Sequence, residues 1–185
     1  MKCKVYFAHN ATTPIAPEVW QAMGEATANF GNPSSIHTFG REAKVALESA
    51  REKVAAFIGA RPSEIIFTSG GTEADNLALF GVATAFANRG RHIIISPIEH
   101  HAVLESAHRL ASQGFEVTYL APTRDGILLP EELAKVIRAD TILVSIMAAN
   151  NETGTIQPIA DLTKIAREKG ILFHTDAVQM AGKRT

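Results

Sequence analysis

The stretch "EIIFTSGGTEADNLALF", Glu64–Phe80, decides how the chain is read. An apolar, β-branched run leads into two glycines and a threonine, and then into residues with helical spacing. The run predicts a strand buried on both faces. Glycines let backbone approach a ligand. The first N–H groups of a helix lack internal partners, and the helix dipole favours negative charge there. With the hydroxyls of Ser69 and Thr72, the turn Ser69-Gly70-Gly71-Thr72-Glu73 suits a phosphate or carboxylate. The competing reading is a plain glycine turn with Thr72 as helix N-cap. The turn is neither a Walker A loop nor G-x-G-x-x-G.

The same strand-then-helix unit recurs along the chain. Strands are predicted at Glu64–Thr68, His92–Ser96, Glu116–Leu120, Thr141–Met147 and Ile171–Thr175. Helices are predicted at roughly Pro17–Asn29, Phe39–Ile58, Glu73–Asn88, His101–Gln113, Pro130–Ile137 and Ile159–Lys169. Gly90, Gly114 and Gly170 read as helix stops. The alternation predicts an α/β fold, a three-layer sandwich with a mainly parallel sheet. No repeat, low-complexity tract or interdomain linker interrupts it. The chain stops at "HTDAVQMAGKRT", just as a further unit begins, so the layered domain is expected to be incomplete.

The bulk numbers narrow the function. The 185 residues suffice for one domain with a core, and 46% hydrophobic with 20% charged residues reads as globular. A net charge of −1 with no basic block argues against nucleic acid as a partner. No apolar run approaches a membrane span, and "MKCKVYFAHN" lacks a signal peptide's apolar core. The single cysteine, Cys3, cannot form an internal disulfide, which fits a cytoplasmic protein.

In open α/β sheets ligands bind beyond the carboxyl ends of the strands, so the residues there are the candidates. The first strand end carries the anion-binding turn. The second carries Glu99-His100-His101, whose adjacent rings point apart and make poor joint metal ligands; either is a stacking face or acid–base group, or is structural. The fourth carries Asn150 and Asn151, amides that suit a carboxylate, a ring hydroxyl or a tight turn. The last carries Asp176, which needs a partner in an apolar setting: a metal, an arginine or a protonated heterocycle. A flat, phosphorylated pyridine uses an anion cup, a stacking face, an amide and an acid together, and pyridoxal phosphate is such a ligand.

The ordered motifs "NATTPIAPEV", "FGNPSSIHTFGREA", "IIFTSGGTEADNLAL", "EHHAVLE", "NNETGTIQPI" and "FHTDAVQ" resemble the cysteine desulfurases of the NifS/IscS type. These belong to the class-V aminotransferase-like group of fold-type I pyridoxal-phosphate enzymes. The resemblance runs from about Tyr6 to Lys183 and implies the N-terminal part of the large cofactor-binding domain over residues 1–185, without the small C-terminal domain. It implies Gly71 and Thr72 at the phosphate, and His100 stacked on the ring and moving protons, the one catalytic assignment. It places Asn151 and Gln179 near the phenolic oxygen and Asp176 on the ring nitrogen. His101 has no role in it. No metal is implied. The implied reaction takes sulfur from L-cysteine, leaving alanine and an enzyme persulfide for iron–sulfur cluster assembly. The implied partners are a second copy or a complementary C-terminal half, and an iron–sulfur scaffold or other sulfur acceptor. "NATTP" and "NPSSIHTFGR" resemble segments at the substrate mouth and dimer contact.

The chain also departs from that pattern. The family's cofactor-bearing lysine follows the "DAVQ" segment, beyond Thr185, and its sulfur-accepting cysteine lies later still. Lys183 matches a non-catalytic position, and Cys3 reads as an inert small residue. "FAHNATTP" stands where the family usually reads "LDNNATTP", and Ala148 and Ala149 stand where bulkier residues are common. Two further readings share these motifs: a selenocysteine lyase or related lyase of the same fold, and a non-catalytic truncated subunit pairing with another chain.

Overall fold

The computed structural model describes residues 5–183, so Cys3 lies outside the described residues. Residues 5–13 with 68–183 form one compact unit, and residues 14–67 form another.

The second unit holds helix α1 (Pro17–Ala26), helix α2 (Thr38–Ile58) and a short 3-10 turn at Pro62–Glu64. His37 caps α2, its Nδ1 accepting from the Gly40 N–H at 3.2 Å. The predicted strand Glu64–Thr68 does not form. Ile65 is extended, with φ −90° and ψ 127°, but the run has no ladder partner among the described residues. β-Branched composition favours extended backbone, and a strand also needs a neighbour for its N–H and C=O groups.

The first unit is built on four parallel strands: β1 (His92–Ile95), β2 (Glu116–Tyr119), β3 (Thr141–Ser145) and β4 (Leu172–His174), in the order β2-β1-β3-β4. Helices α3 (Gly71–Phe86), α4 (His101–Ser112), α5 (Pro130–Val136) and α6 (Ile159–Glu168) lie close to their predicted bounds. Two strands are buried along their whole length, as their continuous apolar runs require. Ile93, Ile95 and Leu143 pack with Leu79 and Ala83 of α3 and Val103 and Leu110 of α4. On the opposite face, Ile94 and Val144 pack with Leu133 of α5 and Leu162 and Ala166 of α6. Alternate residues of β1 thus serve two cores, which makes the three layers.

Gly114 and Gly170 act as helix stops in the left-handed region, with φ 88° and 69°. Gly90 is needed for a different reason: a Cβ there would lie 2.1 Å from the Asp140 carbonyl oxygen.

Connections run from β1 outward to β2 and from β3 outward to β4, so the sheet reverses direction between β1 and β3. The helices following those two strands, α4 and α6, leave to opposite faces. A crevice opens at such a switch point, beyond the strand ends.

Candidate functional site

A cavity of about 250 Å³ lies there, lined by Ala11, Gly71, Thr72, Asp75, His100, Met147, Asn151, Asp176, Val178 and Gln179. All six sequence-predicted site residues are among them.

The start of α3 forms one wall. Gly70 is its N-cap, with no side-chain cap, so Thr72 sits in the first turn and is not the cap. A Cβ on Gly71 would come within 2.8 Å of Val178 Cγ2, so glycine brings the helix start against the 176–179 turn. The Glu73 carboxylate accepts from the Ser69 N–H (2.7 Å) and hydroxyl (2.6 Å), and these bonds hold its pKa below the usual range. Ser69, expected as an anion donor, is spent on this contact; Gly71 and Thr72 line the cavity.

His100 follows β1 and caps α4. Its Nδ1 accepts from the Ala102 N–H at 3.1 Å, which leaves the neutral ring's proton on Nε2. His101 begins α4 and is not among the cavity residues.

The paired amides after β3 divide their work. Asn150 is buried: Oδ1 accepts from the Glu152 and Thr153 N–H groups, and Nδ2 donates to the Ile98 carbonyl at 2.9 Å. It organises the turn, which leaves Asn151 at the cavity. Beyond β4, Asp176 Oδ1 accepts from the Val178 N–H at 2.9 Å. Gln179 donates to the Ala11 carbonyl at 2.8 Å and accepts from Lys183 Nζ at 3.0 Å. Lys183 lines a neighbouring cavity of about 210 Å³ with Asn10 and Asn150.

Two carboxylates escaped the sequence reading. Asp75 is buried and lies 3.5 Å from His174 Nε2, while His174 Nδ1 meets the Ser145 hydroxyl at 2.8 Å. It shares one face of α3 with Gly71, Leu79 and Ala83, at i, i+4 spacing. That spacing was the available signal. Glu99 is buried as well, and burial pushes its carboxyl up to about 7; hydrogen bonds from Ser96 and Met147 pull the other way, and Asp176 adds to the rise.

The cavity is electrically bipolar, with unpaired helix N–H groups at one wall and Asp75 and Asp176 at another. Such an arrangement suits a ligand that is anionic at one end and cationic at the other. Among the described residues, no three His, Cys, Asp or Glu side chains form a metal-binding group.

Comparison with known proteins accords with this geometry. The aminotransferase class-V family matches residues 5–185, and the chain belongs to that family. Within it, the chain is 58% identical over 183 residues to cysteine desulfurase IscS of Dictyoglomus turgidum, covering 98% of this chain and 46% of that protein. It is 55% identical to IscS of Methanosarcina thermophila, covering 96% of this chain and 44% of the relative. A solved NifS-like protein superposes with a TM-score of 0.91 at 49% identity, covering 96% of this chain and 50% of the other. A structure described as SspA in complex with cysteine superposes at 0.89 with 43% identity, covering 95% and 51%. The chain therefore spans about half the length of the relatives it matches.

Proposed function

We propose that the cavity binds pyridoxal phosphate and that the chain supplies the cofactor-binding part of a cytoplasmic cysteine desulfurase acting on L-cysteine. Its sulfur would pass to an iron–sulfur assembly partner. The observation that carries this reading is the convergence of Gly71, Thr72, His100, Asn151, Asp176 and Gln179 on one bipolar cavity. Relatives carrying the desulfurase name support it.

The donor set fits the cofactor. Gly71 and Thr72, at the start of α3, are the phosphate donors. Asp176 would hold a proton on the ring nitrogen, since a carboxylate favours the protonated form of a neighbouring base. His100, with its proton on Nε2, is the stacking ring and proton carrier. Asn151 faces the phenolic oxygen. Gln179 reaches it by exchanging its Ala11 or Lys183 partner. When bound, the cofactor supplies an electron-withdrawing ring that stabilises negative charge at a substrate carbon.

The test is titration of the chain with pyridoxal phosphate, read by visible absorbance. Saturable, reversible binding is expected. Asp176→Asn keeps the acceptor for Val178 N–H but loses the charge, and should weaken binding about ten- to a hundred-fold. Among the described residues no lysine lines the cavity, so borohydride reduction and peptide mapping should give no specific lysine adduct. Wild-type chain that shows no saturable binding sinks the reading.

A further inference from the structure

One buried side chain crosses the switch point. Glu99 Oε1 accepts from the Ser96 hydroxyl at 2.6 Å and from the Met147 N–H at 2.8 Å, joining the end of β1 to the residues beyond β3. Among the described residues, the only other hydrogen bond between 97–100 and 147–151 is that from Asn150 Nδ2 to the Ile98 carbonyl. The loop so pinned ends in His100, and the segment it is pinned to contains Met147 and Asn151; all three line the cavity. Glu99 therefore sets the spacing of two cavity walls.

Its second oxygen poses a problem. Oε2 is buried with no hydrogen-bond partner. A negative charge there would have no donor and would feel the Asp176 carboxylate beyond β4. The other groups around it are His174 on β4, which favours the charged form, Asp75 of α3 behind His174, and, next in the chain, His100 at the cap of α4 and His101 at its start. The two hydrogen bonds to Oε1 favour ionisation, yet burial outweighs them and carries the carboxyl to about 7.

We infer that Glu99 is a positioning residue of this site that works as the neutral acid: one oxygen pins the His100 loop to Met147, and the other carries a proton. Ionisation strengthens Oε1 as an acceptor but strands charge on Oε2. That charge is relieved only by turning the carboxylate toward water, which surrenders the Met147 N–H. The clamp thus loosens as pH rises through about 7. The inference deepens the reading of the cavity as a pyridoxal-phosphate site and rests on it for the ligand alone.

Glutamine is the discriminating substitution. Glu99→Gln retains an oxygen for Ser96 and Met147 and replaces the protonated oxygen with a neutral amide. Glu99→Ala removes the clamp. The primary readout is amide exchange at Met147, corrected for the intrinsic effect of pH, in the full chain without ligand. Losing this hydrogen bond should cost about ten-fold or more in protection. Wild type should be protected at about pH 6 and lose most of that protection by about pH 8.5, on either side of the transition. Glu99→Gln should stay protected at both, and Glu99→Ala at neither. Reversible pyridoxal-phosphate binding should follow the same order. Glu99→Gln as unprotected as Glu99→Ala overturns the inference, because the charge would then be what matters. Flat wild-type protection across this pH range overturns it too, even if Glu99→Ala does not fold. Should no variant bind the cofactor while the exchange pattern holds, the clamp stands and the cofactor reading falls.

Discussion

The two ends of the sheet each bury a titratable side chain and treat it in opposite ways. At the amino end, His92 of β1 is fully buried, and both its ring nitrogens are met: Nδ1 by the Thr141 hydroxyl of β3 at 2.7 Å, Nε2 by the Thr118 hydroxyl of β2 at 2.8 Å. Beside it, Arg138 is paired with Asp140 and Glu116. At the carboxyl end, Glu99 leaves an oxygen unmet, and Asp75, Asp176 and the start of α3 face a cavity. A polar group whose partners are all internal holds the sheet together. Polar groups left unspent around a space are available to something else. The difference separates the internally satisfied end of the sheet from the end that carries the candidate site.

The sharpest way to break the comparison is to damage the amino end. His92→Ala leaves a void and strands the two threonine hydroxyls. It should cost about 3–5 kcal/mol in urea unfolding, yet leave pyridoxal-phosphate affinity of the folded chain unchanged. Weakened ligand binding in the folded fraction would show that the ends are coupled.

The pH dependence separates the ends without large damage. Burial, with Arg138 second, holds the His92 pKa below its usual value. The unfolded chain therefore binds a proton there first, and stability is lost as pH falls below the ordinary histidine value of about 6.5. Glu99 acts in reverse. Its folded value is raised from 4.5 to about 7, so its contribution is complete below 4.5 and is lost as pH rises through 7. The loss is at most about 3 kcal/mol. Urea midpoints measured from acid to neutral pH should rise more steeply in Glu99→Gln than in wild type, since the opposing Glu99 slope is then gone. Parallel curves would mean that Glu99 takes up its proton equally in the folded and unfolded chains, so that burial does not raise its pKa.

Much of this was legible in the chain. The runs "HIII" and "TILVS" are apolar without alternation, and only a strand covered on both faces needs that. Reading the residues just beyond such strands located His100, Asn151 and Asp176, because the parallel topology gathers all strand ends on one side. What was missed depends on neighbours distant in sequence. Ile65–Thr68 has the composition of a strand, but composition cannot supply the adjacent backbone it would pair with. Glu99 and Asp75 look like ordinary exposed acids until the packing of β3 and β4 buries them. Nor does the sequence say that Glu73 claims the Ser69 donors, a matter of side-chain reach across the first turn of α3.

The smallest effect concerns Arg138, and it tests whether the amino end is closed electrostatically as well as sterically. Its guanidinium meets both Asp140 oxygens, at 2.9 and 2.7 Å, and also Glu116, but all three side chains are exposed. Exposed pairs of this kind contribute little in physiological salt. Arg138→Gln should therefore leave the urea midpoint near neutral pH almost unmoved. It should still be felt at His92. Arg138 is the positive charge that disfavours a proton on that ring, while Asp140 and Glu116 favour one. Removing the arginine leaves the two acids unopposed, so the His92 pKa should rise and the loss of stability on acidification should shrink. Ring-proton NMR titration of His92 reads this directly. An unmoved titration would mean that burial alone keeps the ring neutral and that the surface charges do not reach it.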